Sequence, residues 1–160
     1  KGTVFRVELA FDRMEEKEKT EAESEALAGK RLLLAEDDRL CGEILCELLE
    51  DETGRPVSIA ANGRAALEMF ESANGEYDAI IMDVQMPVMN GYEAARAIRR
   101  SGCGNAKTVP IIALTADASE ESARSAADSG MNGCLAKPVN IDRLRKAVAA
   151  ALKSLSVAYR

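Results

Sequence analysis

Five short apolar segments alternate with five amphipathic segments along the chain from residue 30 onward. Each apolar segment is free of charged residues, which is typical of parallel strands covered on both faces. The segments between them repeat their large apolar residues at helical spacing. The predicted strands are residues 32–35, 57–60, 79–82, 109–114 and 134–136. The alternation therefore predicts an α/β fold, a doubly wound five-stranded parallel sheet with five helices and right-handed crossovers.

Polar residues with a preference for helix N-termini precede the predicted helices. Asn90 and Glu93 have the spacing of a capping box for a helix over residues 91–100. Asp117, together with Glu120, is expected to cap the fourth helix. These residues mark where the loops after the third and fourth strands end.

The chain divides into three parts. Residues 1–11 contain an alternating segment, 3–11, that reads as a strand without a partner nearby. Residues 12–29 are mostly charged and predict a solvated linker. Residues 30–156 hold the alternating segments and are expected to form the folded domain.

Composition excludes two classes of partner. The 160 residues carry 27 acidic and 21 basic side chains, a formal net charge of −6, and no Trp. A nucleic-acid surface needs positive charge or stacking rings, so we expect no nucleic-acid partner. No apolar run approaches the roughly 20 residues of a membrane span, and no signal-peptide pattern is present. We therefore expect no direct membrane contact and a cytoplasmic location.

The chain has no histidine. This excludes an imidazole base, histidine-ligated zinc and phosphohistidine within the chain itself, so any such histidine must belong to a partner. Four cysteines occur without a Cys-x-x-Cys pair and stand among apolar or small residues, which favours reduced thiols over a disulfide framework or a metal site. They are Cys41, Cys46, Cys103 and Cys134.

Ionisable or hydroxyl side chains follow four of the five predicted strands. Because the carboxyl ends of parallel strands share one edge of a sheet, these side chains should converge there. Clustered carboxylates resist joint ionisation unless a cation neutralises them, and oxygen ligands without histidine favour Mg²⁺ or Mn²⁺. A carboxylate beside such an ion can attack phosphorus, while a hydroxyl and an ammonium hold the other phosphoryl oxygens. The side chains are Glu36, Asp37 and Asp38 after the first strand, Asp83 after the third, Thr115 after the fourth and Lys137 after the fifth. Of these side chains, only Asp38 is expected to serve as a helix cap and not to take part in the site.

Four motifs carry a resemblance to a known family. They are Leu-Leu-Leu-Ala-Glu-Asp-Asp at residues 32–38, Tyr-Asp-Ala-Ile-Ile-Met-Asp-Val-Gln-Met-Pro-Val-Met-Asn-Gly at 77–91, Val-Pro-Ile-Ile-Ala-Leu-Thr-Ala at 109–116 and Cys-Leu-Ala-Lys-Pro at 134–138. With them, residues 30–154 resemble the receiver domain of two-component response regulators. The resemblance implies a flavodoxin-like receiver fold, with self-phosphorylation and autodephosphorylation as the only activities. The implied partner is a histidine kinase or a histidine phosphotransfer domain.

The resemblance also implies a role for each site residue. Asp83 would be the phosphoacceptor, taking a phosphoryl group from a phosphohistidine. Asp37, Asp83 and the backbone carbonyl of Gln85 would ligate Mg²⁺, with Glu36 assisting through water. Thr115 and Lys137 would bind the phosphoryl group, and Gln85 and Asp117 would tune dephosphorylation. The Lys137–Pro138 bond is expected to be cis.

The chain departs from the family at Cys134, where receivers usually carry Tyr or Phe. The aromatic readout is therefore absent from this position, and the small residues of the fourth helix predict that it repacks by another route. Residues 2–9 are similar to the last strand of a histidine-kinase ATP-binding domain. This order implies a hybrid histidine kinase as the parent chain, which could be membrane-anchored.

Three other classes of protein share part of this pattern. A pseudo-receiver would keep the fold as an interaction module without being phosphorylated, but the full set of site residues argues against it. A haloacid-dehalogenase-type phosphatase would need a second Asp where Gln85 stands. Dinucleotide binding would need a Gly-rich turn after the first strand, and none is present.

Overall fold

A computed structural model describes residues 25–117 and 119–158 of the chain, with side chains described up to residue 154. The predicted strand over residues 3–11 and most of the predicted linker lie outside the described residues. The elements are β1 Leu32–Ala35, α1 Arg39–Thr53, β2 Ser58–Ala60, α2 Gly63–Ser72, β3 Ala79–Asp83, α3 Gly91–Arg100, β4 Ile111–Thr115, α4 Glu120–Asp128, β5 Gly133–Ala136 and α5 Ile141–Ala158. A further helical segment at residues 25–27 precedes β1.

All five strands are parallel and lie in one sheet in the order β2-β1-β3-β4-β5. The predicted doubly wound fold is confirmed, with six helical segments among the described residues rather than five. Because the strand order reverses between β1 and β3, their carboxyl ends form the crevice where open α/β sheets bind ligands.

Each face of the sheet buries its own apolar layer because alternate strand residues point to opposite faces. In β1, for example, Leu33 packs against the layer that includes α2 and α3, and Leu34 packs against the layer that includes α1 and α5. The two layers cover β1, β3 and β4 completely, whereas the edge strand β5 is only half-buried. Within the described residues, no helix is long and apolar enough to cross a membrane.

The packed body of the domain begins before residue 30. Leu27 is fully buried against the α1 and α5 side of the sheet. The backbone N–H of Gly29 donates to the carbonyl of Thr53 at 2.7 Å, and Arg55 Nη1 donates to the carbonyl of Gly29 at 3.2 Å. The end of the predicted linker is therefore attached to the domain, because the Leu27 side chain packs in the core.

The helix caps match the predictions with one exception. Asn90 and Glu93 form the predicted capping box at α3. The cap of α4 is Ser119, whose hydroxyl accepts from the backbone N–H of Ser122, so the prediction that Asp117 and Glu120 cap this helix is wrong. Asp117 instead accepts from the N–H of Ser119 and so stabilises the loop ahead of the helix.

Candidate functional site

Three carboxylates meet at the carboxyl ends of β1 and β3. Glu36 and Asp37 follow β1, and Asp83 is the last residue of β3. One oxygen from each of the three lies within 4.8 Å of the others. Glu36 and Asp83 are 2% and 4% exposed, whereas Asp37 is open to solvent. The structure therefore brings the predicted acidic residues into one cluster that is buried on one side and accessible on the other.

Lys137 joins this cluster from the end of β5. Its Nζ donates to Glu36 Oε2 at 2.7 Å and to Asp83 Oδ2 at 2.8 Å. The following Lys137–Pro138 peptide bond is cis, as predicted. The lysine reaches the acidic pair across the sheet and neutralises part of its charge.

The electrostatics of the cluster leave a net negative charge. Burial raises the pKa of Glu36, and the charge of Asp83 acts in the same direction, which together outweigh the hydrogen bond from Lys137. Burial alone would lower the pKa of Lys137, but its hydrogen bonds to Asp83 and Glu36 outweigh burial and raise it. Since three carboxylates face one ammonium, the ionised site can accept a divalent cation.

The chemistry and spacing of these oxygens fit Mg²⁺. The donor set contains only oxygen, which is what this hard cation prefers, and Mg–O bonds of about 2.1 Å place neighbouring ligand oxygens roughly 3 to 4 Å apart. The carboxylate oxygens need only a small movement to reach those separations. An exposed Asp37 also leaves the approach to the site open.

The backbone after β3 orients Asp83. The N–H of Gln85 donates to Asp83 Oδ1 at 3.1 Å, so each carboxylate oxygen of Asp83 has its own donor. Helix α3 begins directly against this strand end. The approach is so close that a side chain at Gly91 would collide with the carbonyl oxygen of Asp83. The Gly91 N–H donates to the carbonyl of Val84 at 3.0 Å, which holds the loop in this shape.

Thr115 is buried at the end of β4, and its hydroxyl is engaged in the loop that follows. It donates to the carbonyl of Asp117 at 3.1 Å and accepts from the Asp117 N–H at 3.3 Å. To bind a group on Asp83, this hydroxyl has to leave the Asp117 carbonyl. In this structure the Thr115 hydroxyl is therefore held by the β4–α4 loop.

Asp38 and the cysteines are not part of the carboxylate cluster, although the backbone N–H of Asp38 donates to Glu36 Oε1 at 3.3 Å. Asp38 caps α1 by accepting from the N–H of Cys41 at 2.8 Å, as predicted. All four cysteines are free thiols, as predicted. Cys134 is half-buried on the α2 and α3 side of the sheet.

One residue near the site was missed by the sequence analysis. Tyr92, in the first turn of α3, lines a cavity of about 320 Å³ together with Thr115 and Ser122. The signal available in the sequence was its position directly after the Gly that opens α3, in a chain with only three Tyr and three Phe.

Comparison with known proteins places this site in a family. Residues 32–149 match the family model of the response regulator receiver domain. The chain therefore belongs to the response regulator receiver family, whose members are receiver domains of two-component signalling systems.

Several of its curated relatives are described as histidine kinases, and this chain spans only a small part of their length. Probable histidine kinase 2 of Oryza sativa subsp. indica is 36% identical over 148 residues, which cover 85% of this chain and 14% of the relative. Hybrid signal transduction histidine kinase I of Dictyostelium discoideum is 33% identical over 114 residues, 69% of this chain and 6% of the relative.

Two solved structures are informative about the site. The receiver domain of a sensor histidine kinase from Pseudomonas aeruginosa, described with a magnesium ion coordinated in the active-site cleft, is 36% identical with a TM-score of 0.67, over 79% of this chain and 99% of that one. A Saccharomyces cerevisiae receiver domain, crystallised with a histidine phosphotransfer signalling protein, is 32% identical with a TM-score of 0.68, over 76% of this chain and 88% of that one.

Proposed function

We propose that Asp83 accepts a phosphoryl group from a phosphohistidine on another domain and then relays or hydrolyses it. The observation that carries this proposal is the buried Asp83 carboxylate, with one oxygen held by Lys137 and the other by the Gln85 N–H, beside two further carboxylates. In the transfer, a carboxylate oxygen bonds to phosphorus and the donor's phosphorus–nitrogen bond breaks. Its electron pair returns to the imidazole nitrogen.

The residues that would hold Mg²⁺, or Mn²⁺ in its place, are Asp37, Asp83 and the backbone carbonyl of Gln85, with Glu36 acting through water. When bound, the ion neutralises the carboxylates and coordinates a phosphoryl oxygen. The magnesium described in the Pseudomonas receiver supports this assignment. The oxygen-only donor set and the charge excess of the cluster support it independently.

Lys137 and Thr115 would bind the phosphoryl oxygens. The Lys137 ammonium already lies 2.8 Å from Asp83 Oδ2, so it stabilises negative charge that develops there. The Thr115 hydroxyl would exchange the Asp117 carbonyl for a phosphoryl oxygen. The side chains of Gln85 and Asp117 are exposed beside this position, where they can control the access of water to the phosphoryl group.

The phosphoryl donor must come from another domain, because the chain has no histidine. A stripe of apolar side chains lies exposed on α1 next to the cleft: Leu40 and Ile44 are 67% and 50% exposed, with Leu48 one turn further. Ile59, also exposed, extends it. We assign this stripe to docking of a histidine phosphotransfer domain, because a donor histidine that reaches Asp83 brings its own domain against the rim of the cleft. The yeast complex shows that a relative binds such a partner.

The parent chain would be a hybrid histidine kinase. The alignment with histidine kinase 5 of Arabidopsis thaliana covers 87% of this chain, more than residues 32–160 alone could supply, so it includes residues ahead of β1. Four free thiols suit a reducing compartment, which favours the cytoplasm for this domain.

Intact mass after incubation with acetyl phosphate tests the proposal. We expect one phosphoryl adduct that forms with Mg²⁺, fails to form with a chelator, and is lost in Asp83→Asn. The matched control is Asp78→Asn at the opposite end of the same strand, where the carboxylate pairs with Lys30, and it should be labelled like the wild type. Absence of an adduct with Mg²⁺ would contradict the proposal and favour an interaction module that is not phosphorylated.

A further inference from the structure

Tyr92 and Thr115 lie on the wall of one cavity between the β3–α3 loop, the β4–α4 loop and α4. The cavity volume of about 320 Å³ is well above the roughly 30 Å³ that a single water molecule occupies. The space is therefore sufficient for a side chain on its wall to change position. Thr115 is the residue on this wall that the proposed phosphorylation would move.

The other end of Tyr92 contacts α4. Its hydroxyl donates to the backbone carbonyl of Ser122, in the first turn of α4, at 3.5 Å. Burial, with a smaller contribution from Cys134, raises the pKa of the Tyr92 phenol, which keeps it protonated and able to donate. A single side chain on α3 thus touches both the cavity beside Thr115 and the start of α4.

Helix α4 buries little apolar surface against the rest of the domain. Among its residues only Ala126 is buried, whereas α3 buries Ala94, Ala95 and Ile98. An alanine removes little apolar area from water, so its burial stabilises the helix only weakly. In the first turn, the Tyr92 hydroxyl adds a hydrogen bond from another element to those made by the Ser119 cap.

We infer that Tyr92 transmits the state of Asp83 to α4. This inference rests on the proposed phosphorylation of Asp83. When the Thr115 hydroxyl leaves the Asp117 carbonyl, the Tyr92 ring moves into the cavity beside Thr115. The Tyr92 hydroxyl then leaves the Ser122 carbonyl, and the first turn of α4 is released to repack. Tyr92 acts as a positioning residue, since it does not touch the reacting atoms.

Fluorine NMR of the full chain labelled with 3-fluorotyrosine tests this inference. The chain has three tyrosines, Tyr77, Tyr92 and Tyr159, so each resonance can be assigned by substitution with Phe. After treatment with acetyl phosphate and Mg²⁺, the Tyr92 resonance should shift. The Tyr77 resonance should not shift, because this ring is buried beside Phe70 of α2 and its hydroxyl donates to Ser58. Intact mass of the same sample reports the adduct.

Amide hydrogen exchange of α4 provides the second measurement. In the wild type we expect phosphorylation to speed exchange of the α4 amides at residues 122–126 by about two- to fivefold, the change that follows loss of one weak hydrogen bond. In Tyr92→Leu, exchange should be fast in both states and the adduct should form as in the wild type. Tyr77→Phe, the matched control, should keep the wild-type response.

The two proposals fail in different ways. A normal adduct with an unshifted Tyr92 resonance would overturn the inference and leave the phosphoacceptor role intact. A Tyr92→Leu variant that retains the full phosphorylation-dependent change in α4 would do the same. Absence of any adduct would overturn both.

Discussion

Lys137 supplies the positive charge that compensates the two buried carboxylates of the acidic cluster. Glu36 and Asp83 are almost fully buried, and two buried carboxylates without a counter-charge are costly. The Lys137 side chain is 29% exposed and bridges both of them. Under the proposed function, the same ammonium would also lie next to a phosphoryl group on Asp83.

Replacing Lys137 by Met should lower the free energy of unfolding in the presence of a chelator by about 2–4 kcal/mol, somewhat less than for a fully buried pair. Saturating Mg²⁺ should restore part of that loss, because the cation replaces the missing positive charge. Urea denaturation with and without Mg²⁺ measures both values.

The control for this change is Lys30→Met at the other end of the sheet. Lys30 pairs with Asp78 at 3.1 Å, with side chains 37% and 35% exposed, so the loss should stay below about 1 kcal/mol and should not depend on Mg²⁺. An equal loss in both variants would contradict the bridging role of Lys137.

At the scale of single elements, α1 has two different faces. One face buries Leu45 and Leu49 against the sheet, and the other exposes Leu40 and Ile44 beside the cleft. A helix that only covered the sheet would carry polar residues on its outer face. The outer apolar stripe is therefore the best candidate for contact with the phosphoryl donor.

Ile44→Ser should reduce phosphotransfer from a phosphorylated histidine phosphotransfer protein about tenfold, as expected for truncation of an interface hot spot. Labelling by acetyl phosphate should be unchanged, because this small donor needs no docking surface. The yeast phosphotransfer protein is a suitable probe, and the transfer rate is followed by loss of its phosphoryl group. Glu68→Ser, on the exposed side of α2, is the control, and a tenfold loss there as well would argue against a specific stripe.

Local sequence patterns predicted most helices and strands. The features that they did not predict depend on tertiary contacts. The apolar runs locate the strands, since charge-free segments of that length fit a sheet covered on both faces. Leu27 lies in a mostly charged segment without an apolar pattern, so only its burial in the core shows that it belongs to the domain. The cap of α4 shifted from Asp117 to Ser119, because the position of a cap depends on how the loop leaves β4.

The same distinction applies to the candidate site. Its acidic residues were predicted because parallel strands bring their carboxyl ends to one edge. The bridge from Lys137 to both Glu36 and Asp83, and the contact of Tyr92 with α4, depend on side-chain paths across several elements. No local pattern encodes those paths.

At the scale of the whole molecule, Mg²⁺ should stabilise the fold, because the proposed ligands come from the ends of β1 and β3 at the centre of the sheet. At a concentration of 100 times Kd, the gain is about 2.7 kcal/mol. Asp37→Asn should remove most of this gain while changing the metal-free stability by less than about 0.5 kcal/mol, since Asp37 is exposed. Scanning calorimetry with and without Mg²⁺ measures both effects.

Asp51→Asn, an exposed carboxylate on α1 away from the cluster, is the control for the Mg²⁺ experiment and should keep the full gain. Equal gains in the wild type and Asp37→Asn would show that Mg²⁺ binds elsewhere.

Borohydride trapping tests most directly whether Asp83 is the phosphoacceptor. Borohydride reduces an acyl phosphate to the alcohol, so a phosphorylated aspartate becomes homoserine, which peptide mass spectrometry locates. After phosphorylation with Mg²⁺, we predict homoserine at position 83 alone. Homoserine at another carboxylate, or none in a sample that carries the adduct, would contradict the account.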